Sequence, residues 1–171
     1  LTAEQQKQAA LALCQRLKQL PEIRRTKRIS LYLPVNGEID PTPLIPWLRQ
    51  RRVAIYLPVL RPFSDNSLWF VAYGDTTPMV KNRFGIAEPC PRFAAHRHNR
   101  LPAWALDTLI VPLVGFDQYA NRMGMGGGFV AGAMMGAMTC AMTCAMMCAM
   151  MCAMTCAMTC AMTCAMTCAM L

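Results

Sequence analysis

The chain has 171 residues, with 17 Lys and Arg against 9 Asp and Glu and a formal net charge of +8. Every charged side chain lies at or before Arg122, so about 129 residues have ordinary globular composition, which leaves room for one domain. Ten cysteines are present, but only Cys14 and Cys90 stand apart; the others recur every fourth residue from Cys140 to Cys168, which is a repeat and not a disulfide framework.

No charged-then-apolar leader opens the chain, so a reduced, cytoplasmic protein is expected. Leu1 is not an initiator methionine, and a truncated N-terminus is expected with it. A basic body favours anionic partners such as nucleotides, polyanionic cofactors or nucleic acid, and charge does not choose among them. The clusters Arg24 to Arg28 and Arg49 to Arg52 each precede an apolar run, where a solvated helix end or loop would be basic in any case.

Thr2 with Gln5 fits a capping box, and Ala10, Leu13, Cys14, Leu17 and Leu20 follow helical spacing until Pro21. Ile29 to Val35 alternates as a strand would and ends in the turn signal Asn36-Gly37. Thr42 and Pro43 suit a helix start, with Leu44, Ile45, Trp47 and Leu48 as its buried face and Pro46 weakening it. Val53 to Leu60, Leu68 to Tyr73 and the nearly continuous apolar run Leu106 to Val114 are further strands. Strand, helix and strand in succession predict an α/β fold, three-layered with a mostly parallel sheet, and a Pro-rich stretch from Glu88 to Pro102 lying outside. In such sheets ligands gather beyond the carboxyl ends of the strands, which directs attention to Val35 to Asp40 and Gly115 to Phe129.

Four glycines fall within five residues from Gly124 to Gly128, after a buried strand. Glycines let successive backbone N–H groups face one concavity and let a phosphate approach without meeting a Cβ, and Arg122 can add charge at the rim. No Gly-Lys-Ser/Thr follows, so this is not a Walker loop, and a flexible hinge is the plain alternative. Glu38 and Asp40 are placed either to accept hydrogen bonds from a polar heterocycle or to serve as turn carboxylates or a helix cap. His96 and His98 form a His-x-His pair, read as exposed loop residues in preference to a metal site.

An ordered set of motifs carries more. Gly37-Glu38-Ile39-Asp40, Tyr56-Leu57-Pro58-Val59-Leu60, Asn82-Arg83-Phe84-Gly85-Ile86-Ala87-Glu88-Pro89, and Gly115-Phe116-Asp117 leading through Asn121 to Phe129 resemble 5-formyltetrahydrofolate cyclo-ligase, also called 5,10-methenyltetrahydrofolate synthetase. The resemblance covers residues 1 to 129. It implies ATP-dependent cyclisation of 5-formyltetrahydrofolate with ATP and Mg2+ as cofactors, by a monomer that takes a small-molecule substrate and no nucleic acid. Arg122, Met123, Gly124, Met125, Gly126, Gly127, Gly128 and Phe129 would hold ATP. Val35, Glu38 and Asp40, with Met125 to Phe129, would contact the folate. The family continues its loop with an aromatic residue and a Mg-serving aspartate; Val130 and Ala131 stand at those positions, so no metal ligand and no catalytic residue is assigned.

From Thr139 onward the chain repeats Thr-Cys-Ala-Met with occasional Met for Thr. A period of four drifts around a helix, so no fixed Cys stripe results. Residues 130 to 171 read as a low-complexity, non-native extension that replaces the family's last strands and helices. Soft-metal binding or membrane association through the Cys/Met repeat is the alternative from another functional class, with a membrane span disfavoured by the diluting Thr and Cys.

Overall fold

In the computed structural model the described residues are 2–35, 37–61, 68–82 and 85–112, with the backbone of 115–116 and 122–123. Helix α1 (Ala3–Gln19) starts from the expected capping box: Gln5 N–H donates to Thr2 Oγ1 at 3.3 Å, and Thr2 N–H donates to Gln5 Oε1 at 2.9 Å. Ala9, Ala10, Leu13, Cys14 and Leu17 form its buried face. Leu20 is extended because the proline after it disfavours helical backbone there. Pro21 ends α1 as expected but also opens a short helix α2 (Pro21–Arg25), since a first-turn residue needs no N–H partner.

Strand β1 (Arg28–Ser30) is shorter than the alternation of Ile29 to Val35 predicts. Beyond it only Leu31 continues the pairing, its N–H donating to the Tyr56 carbonyl at 3.0 Å. Pro34 has no N–H to extend the ladder, so the chain peels away into a loop. A 3-10 turn, Thr42–Leu44, leads into α3 (Ile45–Gln50), and Pro46 sits in the first turn of α3, where it is tolerated. Strand β2 (Ala54–Leu60) then pairs parallel with β1, giving the predicted strand–helix–strand unit.

Strand β3 (Leu68–Ala72) runs antiparallel to β2. Strands β4 (Met79–Lys81) and β5 (Ala87–Pro89) form a separate hairpin turned at Gly85, whose φ of 75° is in the left-handed region. The stretch expected to lie outside contains α4 (Pro91–Ala95) and β6 (Arg100–Leu101), which adds antiparallel to β3. The apolar run from Leu106 yields only β7 (Thr108–Leu109), with Leu113 and Val114 outside the described residues. It pairs parallel with β1. The main sheet has the order β6-β3-β2-β1-β7, so its core is parallel and one flank antiparallel.

Helices α1, α2 and α3 cover Ile29, Ile55 and Ile110 on one face, with Leu13, Ile29, Leu44 and Leu48 fully buried. Each such side chain contributes roughly 1.5–3 kcal/mol of transfer free energy. Val59 and Val71 lie on that face by strand alternation and receive Ala94 of α4. Phe70, Leu109 and Val111 point to the other face and pack with Leu106 and Ala103. Helices for a third layer are not among the described residues. No helix among them is long and apolar enough to cross a membrane.

Asp107 fastens β7 to β1. Its Oδ2 accepts from the backbone N–H of Lys27 at 2.9 Å and of Arg28 at 2.8 Å, and the Arg28 guanidinium lies 3.5 Å from Oδ1. Desolvation by itself would raise the carboxyl pKa, but these donors outweigh it and hold it below 3.8. Asp107→Ala is expected to lower the unfolding free energy by about 1–2 kcal/mol, the exposed ion pair adding little to the two backbone hydrogen bonds. A depressed folded-state pKa stabilises above the unfolded value and is lost on acidification, so the gap between wild type and variant in urea titrations should close as pH falls below 3.8.

Cys14 gives a second check. Burial pushes its thiol up to about 11, with Asp40 adding to the shift and Lys18 opposing it. Brief iodoacetamide treatment of the folded chain at about pH 8 should leave Cys14 unmodified in peptide mass mapping, and urea should expose it. Its contribution to stability is complete below the ordinary value of 9.0 and declines as pH rises through about 11.

Candidate active site

Parallel pairing sets the carboxyl ends of β1, β2 and β7 at one edge of the sheet. Ile110 N–H donates to the Ser30 carbonyl at 2.9 Å, which carries the β1–β7 pairing to that edge. Two loops leave there: Leu31 to Asp40 from β1, and the chain running toward Gly115 from β7. Strands β8 (Gly115–Phe116) and β9 (Arg122–Met123) then pair antiparallel, Gly115 with Met123 and Phe116 with Arg122. The hairpin returns the backbone of Arg122 and Met123 beside Gly115 before the glycine run. Gly124 to Phe129, Val130 and Ala131 lie outside the described residues.

The loop after β1 is built around its own polar groups. Glu38 N–H donates to the Val35 carbonyl at 3.1 Å, and Val35 N–H donates to Glu38 Oε2 at 3.0 Å. Gly37 lies inside this turn with φ 83°, a conformation that L side chains rarely adopt. A Cβ on Gly37 would stand 3.4 Å from Gln6 Nε2, so the first turns of α1 border the loop. Asp40 Oδ1 accepts from Thr42 N–H at 2.8 Å and starts the turn into α3. Both carboxylates thus serve as local turn acceptors, Glu38 for Val35 N–H and Asp40 for Thr42 N–H, and neither is a helix cap, since the 3-10 turn and α3 start from Pro41 and Leu44 without a side-chain cap. Acceptor capacity remains on each half-buried carboxylate after the carboxyl end of β1.

Tyr32 and Cys14 escaped the sequence reading as parts of this loop. The Tyr32 hydroxyl donates to the Ile39 carbonyl at 2.6 Å, while its ring is buried in the α1–α3 core. Burial, with Glu38 and Asp40 nearby, pushes its pKa well above the ordinary tyrosine value. Cys14 Sγ lies 3.9 Å from the Pro41 carbonyl at the far end of the same loop. A tyrosine inside an apparent strand alternation gives no signal that it will reach seven residues along the chain.

The other motifs divide. Tyr56 to Leu60 is strand β2, with Leu57 and Val59 in the core and Tyr56 on the opposite face, packed with Phe70 and Leu109. In the hairpin, Asn82 Oδ1 accepts from Ile86 N–H at 3.1 Å and its Nδ2 donates to Glu88 Oε2 at 3.1 Å. Those two residues shape the turn. His96 and His98 are exposed with ring centroids 5.5 Å apart. Among the described residues no group of three or more His, Cys, Asp and Glu could hold a metal ion.

Comparison with known proteins identifies the family of the chain. The family model for the 5-formyltetrahydrofolate cyclo-ligase family matches residues 1–156, continuing past Phe129 into the repeat. The chain is 46% identical over 129 residues to the 5-formyltetrahydrofolate cyclo-ligase of Haemophilus influenzae, covering 75% of this chain and 67% of that protein. With the enzyme of the same name from Escherichia coli it is 40% identical over 129 residues, covering 75% and 69%. Among solved structures, the NMR structure of Aquifex aeolicus 5,10-methenyltetrahydrofolate synthetase is similar with a TM-score of 0.65 at 27% identity, over 80% of this chain and 66% of that one. The synthetase of Mycoplasma pneumoniae shares the fold with a TM-score of 0.60 at 19% identity, over 83% and 72%. The chain thus spans about two thirds of the length of the relatives it matches. It belongs to the 5-formyltetrahydrofolate cyclo-ligase family of enzymes.

Proposed function

We propose that this chain binds ATP and 5-formyltetrahydrofolate at the shared carboxyl edge of β1 and β7 and closes the folate ring to 5,10-methenyltetrahydrofolate. The observation that carries the reading is the parallel β1–β7 pairing, by which the chain leaves both strands at the same edge of the sheet, from β1 toward Val35, Glu38 and Asp40 and from β7 toward Gly115. In this reading Arg122 to Phe129 surround the triphosphate with backbone N–H groups. Val35, Glu38 and Asp40, with Met125 to Phe129, contact the folate.

The chemistry follows from that arrangement. The formyl oxygen attacks the γ-phosphorus and ADP leaves, which activates the formyl carbon. N10 then attacks that carbon and gives up its proton to solvent, and inorganic phosphate departs with the oxygen. The protein's part is to hold the two reactants together and to stabilise charge on the transferred phosphoryl group, for which backbone donors and the Arg122 cation are suited.

Ala131 offers no oxygen where the family places a Mg-serving aspartate, and among the described residues no group of three or more His, Cys, Asp and Glu could hold a metal ion, so Mg2+ would enter with the ATP phosphates and not on a ligand at position 131. No step is therefore assigned to a protein-held metal. Residues 1 to 129 form the catalytic domain in this proposal, and 130 to 171 are an appended repeat with no part in the chemistry. The change of composition and the 129-residue span of the bacterial alignments support that division. A cytoplasmic monomer is the corresponding assembly.

The test is the appearance of methenyltetrahydrofolate absorbance on mixing the full chain with ATP and 5-formyltetrahydrofolate. Slow, strictly ATP-dependent turnover is expected, raised about tenfold by Ala131→Asp, a difference of roughly 1.4 kcal/mol in barrier. Absence of ATP-dependent product both here and in a chain given a relative's sequence after Phe129 would reject the assignment.

A further inference from the structure

In the proposed site the loop from Leu33 to Glu38 leaves the sheet after β1 and must present one shape to the ligand, and among the described residues its internal hydrogen bonds are those of the Val35–Glu38 turn. Such a turn can form and still swing as a unit about its two ends. Tyr32 ties its two ends together. Its ring is 5% exposed and packed within the core that holds Leu13, Leu31, Leu44 and Leu48, so the side chain has no freedom of its own. Its hydroxyl reaches across the base of the loop to the Ile39 carbonyl at 2.6 Å. The contact joins the residue just before the loop to the residue between Glu38 and Asp40.

We propose that Tyr32 is a positioning residue for the folate side of the site, its hydroxyl closing the base of the loop so that Val35, Glu38 and Asp40 meet the ligand in a preset arrangement. The inference rests on the cyclo-ligase reading of the site. A loop held in its binding shape before the ligand arrives spares the ordering cost at binding, and that saving appears as affinity. Phe at position 32 would fill the same core volume but leave the Ile39 carbonyl without its donor. The loop would then sample other orientations while the sheet stayed intact. The Tyr32 hydroxyl acts on the loop from β1 through the Ile39 carbonyl, whereas the glycine run follows β9 in sequence, so the ATP side should be insensitive to the change. Gly37 offers an independent handle on the same loop, because its φ of 83° strains any other residue.

Calorimetric titration of the full chain, Tyr32→Phe and Gly37→Ala with 5-formyltetrahydrofolate, and separately with a non-hydrolysable ATP analogue, tests this. Tyr32→Phe is expected to weaken folate binding about five- to tenfold, the loss of one net hydrogen bond, with the ATP analogue changed less than about twofold. Gly37→Ala should shift the same ligand in the same direction, and it supplies the result if the Tyr32 variant fails to fold. A merely structural role for Tyr32 would weaken both ligands together with the unfolding midpoint, and that outcome overturns the proposal. So does folate affinity unchanged in a variant that binds ATP normally. If the unaltered chain binds neither ligand, the cyclo-ligase reading itself fails, and the positioning role falls with it.

Discussion

The site depends on one pairing, that of β1 with β7. Only two residues of each strand are in register, Ile29 with Thr108 and Ser30 with Leu109, and the segments meet from positions almost eighty residues apart. So short a parallel ladder needs fastening, and Asp107 supplies it at the end away from the ligand edge by accepting the N–H groups of Lys27 and Arg28. At the other end the Ile110 to Ser30 hydrogen bond carries the pairing up to the point where both chains turn out of the sheet. Those anchors hold the two strands side by side up to the edge from which both chains leave the sheet.

Within the first loop, the carboxylates proposed to meet the folate also hold the backbone. Glu38 closes a turn on Val35, and Asp40 accepts from Thr42 N–H in the turn that leads toward α3. A carboxylate committed through one oxygen keeps acceptor capacity on the other, so structural and ligand roles are compatible. Fixing the carboxylates through the backbone also suits binding, because their orientation does not have to be found when the ligand arrives. Tyr32 extends this economy into the core. A buried ring determines where a surface loop sits.

Much of this was legible in the sequence where local rules govern. The capping box of α1, the extent of β2 and β3, the β1–α3–β2 unit and the family motifs follow from spacing and turn chemistry in short windows. The misses have physical reasons. Alternation in Ile29 to Val35 suggested a long strand, but strand length is set by available partners, and β1 loses its ladder after Leu31. The apolar run from Leu106 has the pattern of one long strand for the same reason, while its paired part among the described residues is Thr108–Leu109. The antiparallel flank β3–β6 and the hydrogen bonds of Asp107 arise between distant residues, and nothing in a local window announces them. For the candidate site, Val35, Glu38 and Asp40 lie in the loop that follows the carboxyl end of β1. The contacts of Gly124 to Phe129 lie outside the described residues.

The central claim, that two loops at the β1–β7 edge form one ligand site, is tested most directly by hydrogen–deuterium exchange of the full chain with and without 5-formyltetrahydrofolate and a non-hydrolysable ATP analogue. The account predicts added protection in both 31–41 and 115–129 when the ligands are present together, with the β4–β5 hairpin unchanged. Protection confined to one of these segments, or appearing in 130–171 instead, would contradict it.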